Sequence, residues 1–149
     1  KFGGGALSCE VIVGTWQAQQ TGKTLPVYLA SESDTGGTLE HRYAVAGADD
    51  DEVVHRGARA FWEAIKRGDR QGAAAQVAYP ITIRLGGRRV TFATAADFVA
   101  RYDAIVTPAF RDAVANALPR NMFARDQGVM LGNGQVWFGP DGKVIAINP

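Results

Sequence analysis

The chain has 149 residues, of which 46% are hydrophobic and 21% are charged, and this composition excludes a wholly disordered protein. Its 16 basic and 15 acidic residues leave a net charge of +1, so electrostatics give no reason to expect a nucleic acid partner. A single cysteine excludes an internal disulfide and a multi-cysteine zinc site, and no apolar run reaches the roughly 20 residues that span a bilayer.

Residues 1–47 predict a β-rich N-terminal segment or strand extension, without a helix. Alternation of apolar and polar residues predicts three strands, at 10–16, 26–30 and 38–45. We expect the second and third strands to form a hairpin across the glycine-containing turn at 33–37. In the third strand, His41 shares an apolar face with Tyr43 and Val45.

Residues 48–149 predict an α+β domain that begins with a long helix. The acidic run 49–51 supplies N-cap candidates for a helix that extends to Arg67 and stops at Gly68. A short helix at 70–78 and a hairpin of 81–85 with 89–93, across Gly86-Gly87, are predicted next. A capping-box-like start at Thr94–Asp97 and a second start signal at Thr107-Pro108 predict one kinked helix or two tandem helices over 95–118. The last predicted element is a three-stranded meander of 128–131, 135–138 and 143–148.

Apolar spacing predicts which faces of these elements are buried. The first helix is expected to bury a stripe and to leave His55 on its solvated face; the stripe consists of Val53, Gly57, Ala60, Phe61, Ala64 and Ile65. The predicted core is formed by Phe61, Ile65, Phe98, Tyr102, Ile105, Val129, Val136 and Phe138. Gly134 is expected to have a positive φ, because it follows Asn133 in a tight turn.

The order of the predicted elements over residues 51–148 resembles that of the cystatin-like or nuclear-transport-factor-2-like superfamily. The stretches that carry this resemblance are 61–69 (FWEAIKRGD), 79–83 (YPITI) and 128–138 (GVMLGNGQVWF). The resemblance implies a curved antiparallel sheet packed on a long helix, in the shape of a cone. It also implies a choice of functions, because the superfamily contains dehydratases, isomerases and epoxide hydrolases as well as binding, immunity and assembly domains. Fold alone does not decide between them.

The predicted strand faces inside the cone carry no aspartate, glutamate or histidine, and this argues against an acid–base active site there. The catalytic candidates that remain are His41, Tyr102 and Asp103, and each has a structural interpretation: a core or interface histidine, a core tyrosine with a hydrogen-bonded hydroxyl, and a solvated carboxylate. Two histidines fourteen residues apart predict no metal site, and no motif predicts a cofactor.

Trp137 is the strongest candidate for a binding surface. It lies beside the inward-facing Val136 and Phe138, so its side chain should occupy the opposite face with Met130 and Gln135. That position fits a partner or dimer contact, because tryptophan anchors interfaces, and it equally fits burial under the N-terminal strands.

We expect a non-catalytic binding module that takes a protein partner or a small apolar ligand, in an inhibitor-like or immunity-like role. A small-molecule lyase, isomerase or hydrolase with its site in the cone is the first alternative, and a structural or self-assembling subunit is the second. The segment Ala6-Leu7-Ser8-Cys9 resembles a bacterial lipoprotein acylation site. The other interpretation of Cys9 is a buried free cysteine. The single cysteine is compatible with export, and a bacterial periplasmic or secreted location is expected, with a cytoplasmic location as the alternative.

Overall fold

The structure is a computed structural model that describes residues 2–3, 11–30 and 41–149, with side chains for 13–27 and 41–149. The chain forms two compact units, Lys1–Asp34 and Thr35–Pro149. The fold is α+β, with antiparallel sheets and helices, as the sequence predicts. No helix in the described part of the chain is both long and apolar enough to cross a membrane. Cys9 lies outside the described residues.

The first unit is a three-stranded antiparallel sheet in the order β1 (Phe2–Gly3), β2 (Val11–Gln17) and β3 (Thr24–Ala30). The two longer strands agree with the predicted ones and pair with each other in a hairpin, in which Trp16 lies opposite Leu25. The turn predicted at 33–37 lies outside the described residues.

The third predicted strand is wrong for residues 41–45, which form a turn that leads into a 3₁₀ helix at Ala44–Ala46; residues 38–40 are not described. The cause is Asp51, whose carboxylate accepts the backbone N–H groups of Arg42 and Tyr43 at 2.8 and 3.0 Å. A strand would need those donors for its ladder. Tyr43 is buried in the core of the second unit, so residues 41–47, predicted as part of the N-terminal segment, pack with that unit.

The second unit is organised around helix α1 (Asp51–Arg67), whose ends are those predicted. The Asp50 side chain accepts the N–H of Glu52 at the N-cap, and Gly68 ends the helix with a φ of 68°. The buried stripe is displaced from the predicted one in the first half of the helix, where Val54, His55 and Ala58 are buried. Val53, Gly57 and Ala60 are half-buried, whereas Phe61, Ala64 and Ile65 are buried as predicted.

After α1, helix α2 (Arg70–Ala75) leads to a two-stranded hairpin of β4 (Ile81–Leu85) and β5 (Arg88–Phe92). The segment predicted as one or two helices forms three short ones: α3 (Ala95–Ala100), α4 (Tyr102–Ile105) and α5 (Pro108–Asn116). The break at Thr107 was predicted, because Pro108 forces the preceding residue to be extended. The break at Arg101 was not predicted.

The last element is a four-stranded antiparallel sheet in the order β6 (Phe123–Arg125), β7 (Gly128–Leu131), β8 (Val136–Phe138) and β9 (Val144–Ile147). The prediction had three of these strands and missed β6. All eight predicted core residues are buried, and Gly134 has a φ of 98°, as expected. The register shift between β8 and β9 at Trp137 and Phe138 explains why Val144 and Ile147, three residues apart, are both buried.

Candidate functional site

The three catalytic candidates lie in different surroundings. His41 is exposed, in a turn rather than on a strand face, and lines a polar hollow of about 350 Å³ with Asp49, Asp50 and Asp51. Asp103 is exposed, as its structural interpretation predicts, and accepts two hydrogen bonds from Arg70 at 2.8 and 2.9 Å. The hollow at His41 is lined by neither Asp103 nor Tyr102, so the structure does not assemble the three into one site.

Tyr102 is a core residue, as predicted, but the described part of the chain does not supply the expected hydrogen bond to its hydroxyl. The ring packs edge-on against Phe98, with the ring centres 6.3 Å apart. The hydroxyl is buried and has no partner among the described residues. Burial raises the pKa of the Tyr102 phenol, and this opposes a catalytic phenolate.

Trp137, Met130 and Gln135 are all half-buried. Trp137 pairs with Met130 across the strands, on the face opposite the buried Val136 and Phe138, as predicted. Gln135 differs, because it lies in the turn before β8 and its side-chain oxygen accepts the Asn133 N–H at 2.7 Å. Its side chain therefore stabilises the turn, and its part in a binding surface stays a prediction.

A cleft of the second unit lies along α1, at residues that the sequence analysis did not place in a site. It has a volume of about 470 Å³. We call it the α1 groove; it is lined by four α1 residues before Trp62, namely Glu52, His55, Arg56 and Arg59, by Trp62 itself, and by the segment Leu118–Asn121. Its volume is typical of small-molecule sites, which span about 300–1,000 Å³.

His55 lies at the centre of this region, because it lines both the α1 groove and the polar hollow. It was predicted on the solvated face, and that is wrong: the residue is only 9% exposed and is the buried polar residue of the described chain. Its ring meets the ring of Tyr43 edge-on at 5.1 Å, and Nδ1 lies 3.3 Å from the Pro119 carbonyl oxygen. Pro119 and Tyr43 thus cover a flank of α1 that a helical pattern alone assigns to solvent.

The contact with Pro119 selects the tautomer of the His55 imidazole. A hydrogen bond to a carbonyl oxygen requires the proton on Nδ1, so the neutral ring keeps Nε2 as an acceptor. Glu52, one turn earlier on α1, forms an ion pair with Arg120 at 3.3 Å, and both side chains are more than half exposed. Together these groups place an imidazole, a carboxylate and a guanidinium around the same cleft.

The apolar wall of the groove combines Trp62, Leu118 and Pro119. Leu118 is 65% exposed, the largest value among the exposed large hydrophobic residues that the structure describes. Trp62 is half-buried, and the Lys66 ammonium lies 3.9 Å from the centre of its ring, which is a cation–π contact. The Trp62 Nε1–H is buried without a hydrogen-bond partner among the described residues.

The groove offers binding chemistry more readily than covalent chemistry. Its lining contains no serine, threonine, cysteine or lysine, the usual nucleophiles. Within the described residues, no group of three or more histidine, cysteine, aspartate or glutamate side chains could hold a metal ion. The sequence signal that could have found the groove is weak: a leucine-proline pair after a helix, and a tryptophan preceded by two arginines at intervals of three residues.

Comparison with known proteins returns no match to a protein-family model, to a curated protein or to a solved structure. The resemblance to the cystatin-like or nuclear-transport-factor-2-like superfamily therefore stays a prediction.

Proposed function

We propose that this chain is a non-catalytic binding module and that the α1 groove holds a small ligand with an apolar part. The observation that carries this proposal is the groove itself, with about 470 Å³ of space against Trp62, Leu118 and Pro119. Leu118 lines the groove and is 65% exposed. A ligand that covers this side chain removes apolar surface from water, and this contributes favourable free energy of binding. A protein partner at Trp137 and Met130, and a periplasmic or secreted location, remain further predictions.

The test uses N-phenyl-1-naphthylamine, a neutral probe whose fluorescence rises in an apolar site. We expect saturable binding to the full chain and a loss of about three- to tenfold in affinity for Leu118→Ala, which removes roughly 1 kcal/mol of covered apolar area. Ile145→Ala is the matched control, because Ile145 is 42% exposed and does not line the groove. Equal affinity of the two variants, or no saturable binding at all, would refute this site.

A catalytic alternative has one specific observation in its favour. Glu52 and His55 line the same cleft, and the Pro119 carbonyl orients the imidazole so that Nε2 can accept a proton. This site would lie in the α1 groove rather than in the cone that the sequence suggested. If small esters, epoxides or carbonyl compounds are turned over, His55→Gln should lower the rate by about 10²–10⁴-fold. We expect no turnover by the wild-type chain.

A further inference from the structure

The rim of the α1 groove carries an excess of positive charge. Three guanidinium groups, those of Arg56, Arg59 and Arg120, line it against one carboxylate, that of Glu52. The chain as a whole is nearly neutral, with a net charge of +1, so this excess is a local feature and not the consequence of a basic protein. A concave surface with charges of one sign concentrates ligands of the opposite sign.

The arginines of the rim are only partly neutralised by their neighbours. Arg59 pairs with Glu63 at 3.1 Å, and Arg120 pairs with Glu52 at 3.3 Å, but the two arginine side chains are 70% and 74% exposed. Exposed pairs of this kind are weak and leave most of the N–H donors of a guanidinium in water. The Arg56 side chain has no ion-pair or hydrogen-bond partner among the described residues.

The apolar wall and the charged rim belong to one cleft. Trp62 and Arg59 are three residues apart on α1, as are Arg59 and Arg56, so the three side chains follow one face of the helix. The segment Leu118–Asn121 likewise lines the groove with an apolar side chain, Leu118, and a cationic side chain, Arg120. A ligand that fills the groove would therefore meet apolar surface and guanidinium groups together.

We propose that the α1 groove selects small amphipathic organic anions, in which an apolar body lies against Trp62 and Leu118 and an acidic group contacts Arg56 and Arg120. This inference rests on the proposed function and adds the charge of the ligand. A guanidinium binds carboxylate, sulfonate or phosphate groups through paired N–H donors, so the shared chemistry is an oxyanion on an apolar body. A neutral ligand of the same shape would use the wall alone.

The experiment compares two probes that differ by one acidic group. The anion 8-anilinonaphthalene-1-sulfonate carries a sulfonate that N-phenyl-1-naphthylamine lacks, and both report binding by fluorescence. Arg56→Glu should weaken binding of the anion by about three- to tenfold, since it replaces an exposed attraction by a repulsion, and should change binding of the neutral probe by less than about twofold. Raising the salt concentration from 50 mM to 500 mM should likewise weaken only the anion.

Arg84→Glu is the matched control, because it makes the same change of charge at an exposed arginine that does not line the groove. We expect it to leave both affinities within about twofold of wild type. Circular dichroism of each variant checks that the fold is kept, which is expected for substitutions at two exposed positions.

The outcomes separate this inference from the proposed function. If the neutral probe binds and responds to Leu118→Ala, but the anion is unaffected by Arg56→Glu, the binding function stands and the charge preference is refuted. If Arg56→Glu and Arg84→Glu weaken the anion equally, the effect is a general one of net charge, and the inference is again refuted. If neither probe saturates, both proposals fail.

Discussion

Helix α1 packs tightly against the backbone of Gly142 at Gly57. We therefore expect Gly57→Ala to destabilise the protein, although replacing glycine with alanine usually stabilises a helix. A Cβ at Gly57 would overlap the carbonyl oxygen of Gly142. It would also lie 2.7 Å from the carbonyl carbon and 2.9 Å from the Cα atom of Gly142. In the other direction, a Cβ at Gly142 would lie 2.5 Å from the Val53 carbonyl oxygen. Helix and turn therefore meet backbone to backbone, and no flexible side chain can move away to make room.

The magnitude follows from two opposed effects. Alanine in place of glycine improves helix propensity by about 1 kcal/mol. Overpacking costs about 1–3 kcal/mol and occasionally more, and the high end applies here because the turn is held. The strand that follows it is anchored to the segment after α2, since Val144 N–H donates to the Gln76 carbonyl at 2.8 Å and Ala78 N–H donates to the Val144 carbonyl at 2.9 Å. We expect a net loss of about 1–2 kcal/mol.

The assay is urea unfolding followed by circular dichroism, with thermal unfolding as a second measurement. A loss of 1–2 kcal/mol in a unit of this size lowers the melting temperature by about 4–8 °C. Ala60→Gly is the control for propensity, because it makes the reverse exchange one turn further on α1 at a half-buried position, and should cost about 1 kcal/mol. A Gly57→Ala variant as stable as wild type, or more stable, would refute the backbone contact.

Three further predictions concern the core, a turn and the response to pH. Phe98→Ala should cost about 3–5 kcal/mol in urea unfolding, because Phe98 is 0% exposed and its removal leaves a cavity; an unchanged midpoint would contradict its burial. Gly134→Val should cost about 1–3 kcal/mol because of its φ of 98°, whereas Asn133→Gly should be nearly neutral, and equal tolerance of the two would argue against the turn. Burial and then the charge of Asp97 raise the pKa of Tyr79 to about 12, from 10 in the unfolded chain. The unfolded chain therefore releases this proton first, so the stability contributed by Tyr79 is complete below pH 10 and is lost between pH 10 and 12. Tyr79→Phe should flatten that decline in unfolding measured at increasing pH, and an unchanged slope would show that Tyr79 is not its source.

Local signals in the sequence predicted most of the element boundaries. The Asp50 and Gly68 caps of α1, the Thr94–Asp97 capping box and the Thr107-Pro108 start of α5 are each formed by residues within four positions of one another. Such signals do not depend on the rest of the fold, because the side chain and the backbone group that it caps are neighbours in the chain. The hairpin turn at Gly86-Gly87 was predicted for the same reason.

Long-range contacts explain the predictions that are wrong. The alternation at 38–45 is a valid strand pattern, but Asp51 accepts the backbone N–H groups of Arg42 and Tyr43, which lie nine and eight residues before it. The helical pattern of α1 predicts that His55 is solvated, yet its ring contacts the Pro119 carbonyl, which is 64 residues further along the chain. Nothing in the sequence near either residue indicates the partner, so pattern analysis alone could not have placed them.

The burial of His55, which the helical pattern did not predict, occurs on the flank of α1 that lines the candidate site. A helix buries apolar residues where packing alone decides, and Val54, Ala58, Phe61 and Ile65 follow that rule. On the adjacent flank, His55 is a buried polar group whose Nδ1 is satisfied by the Pro119 carbonyl, while its other ring nitrogen receives no protein partner within the described residues. Positions where a sequence departs from its own hydrophobic pattern are where function is expected to override stability. The same contact with Pro119 holds the segment Leu118–Asn121 against α1 and so fixes the second wall of the groove. His55 therefore connects the fold to the proposed function, because its contact with Pro119 joins two of the segments that line the cleft.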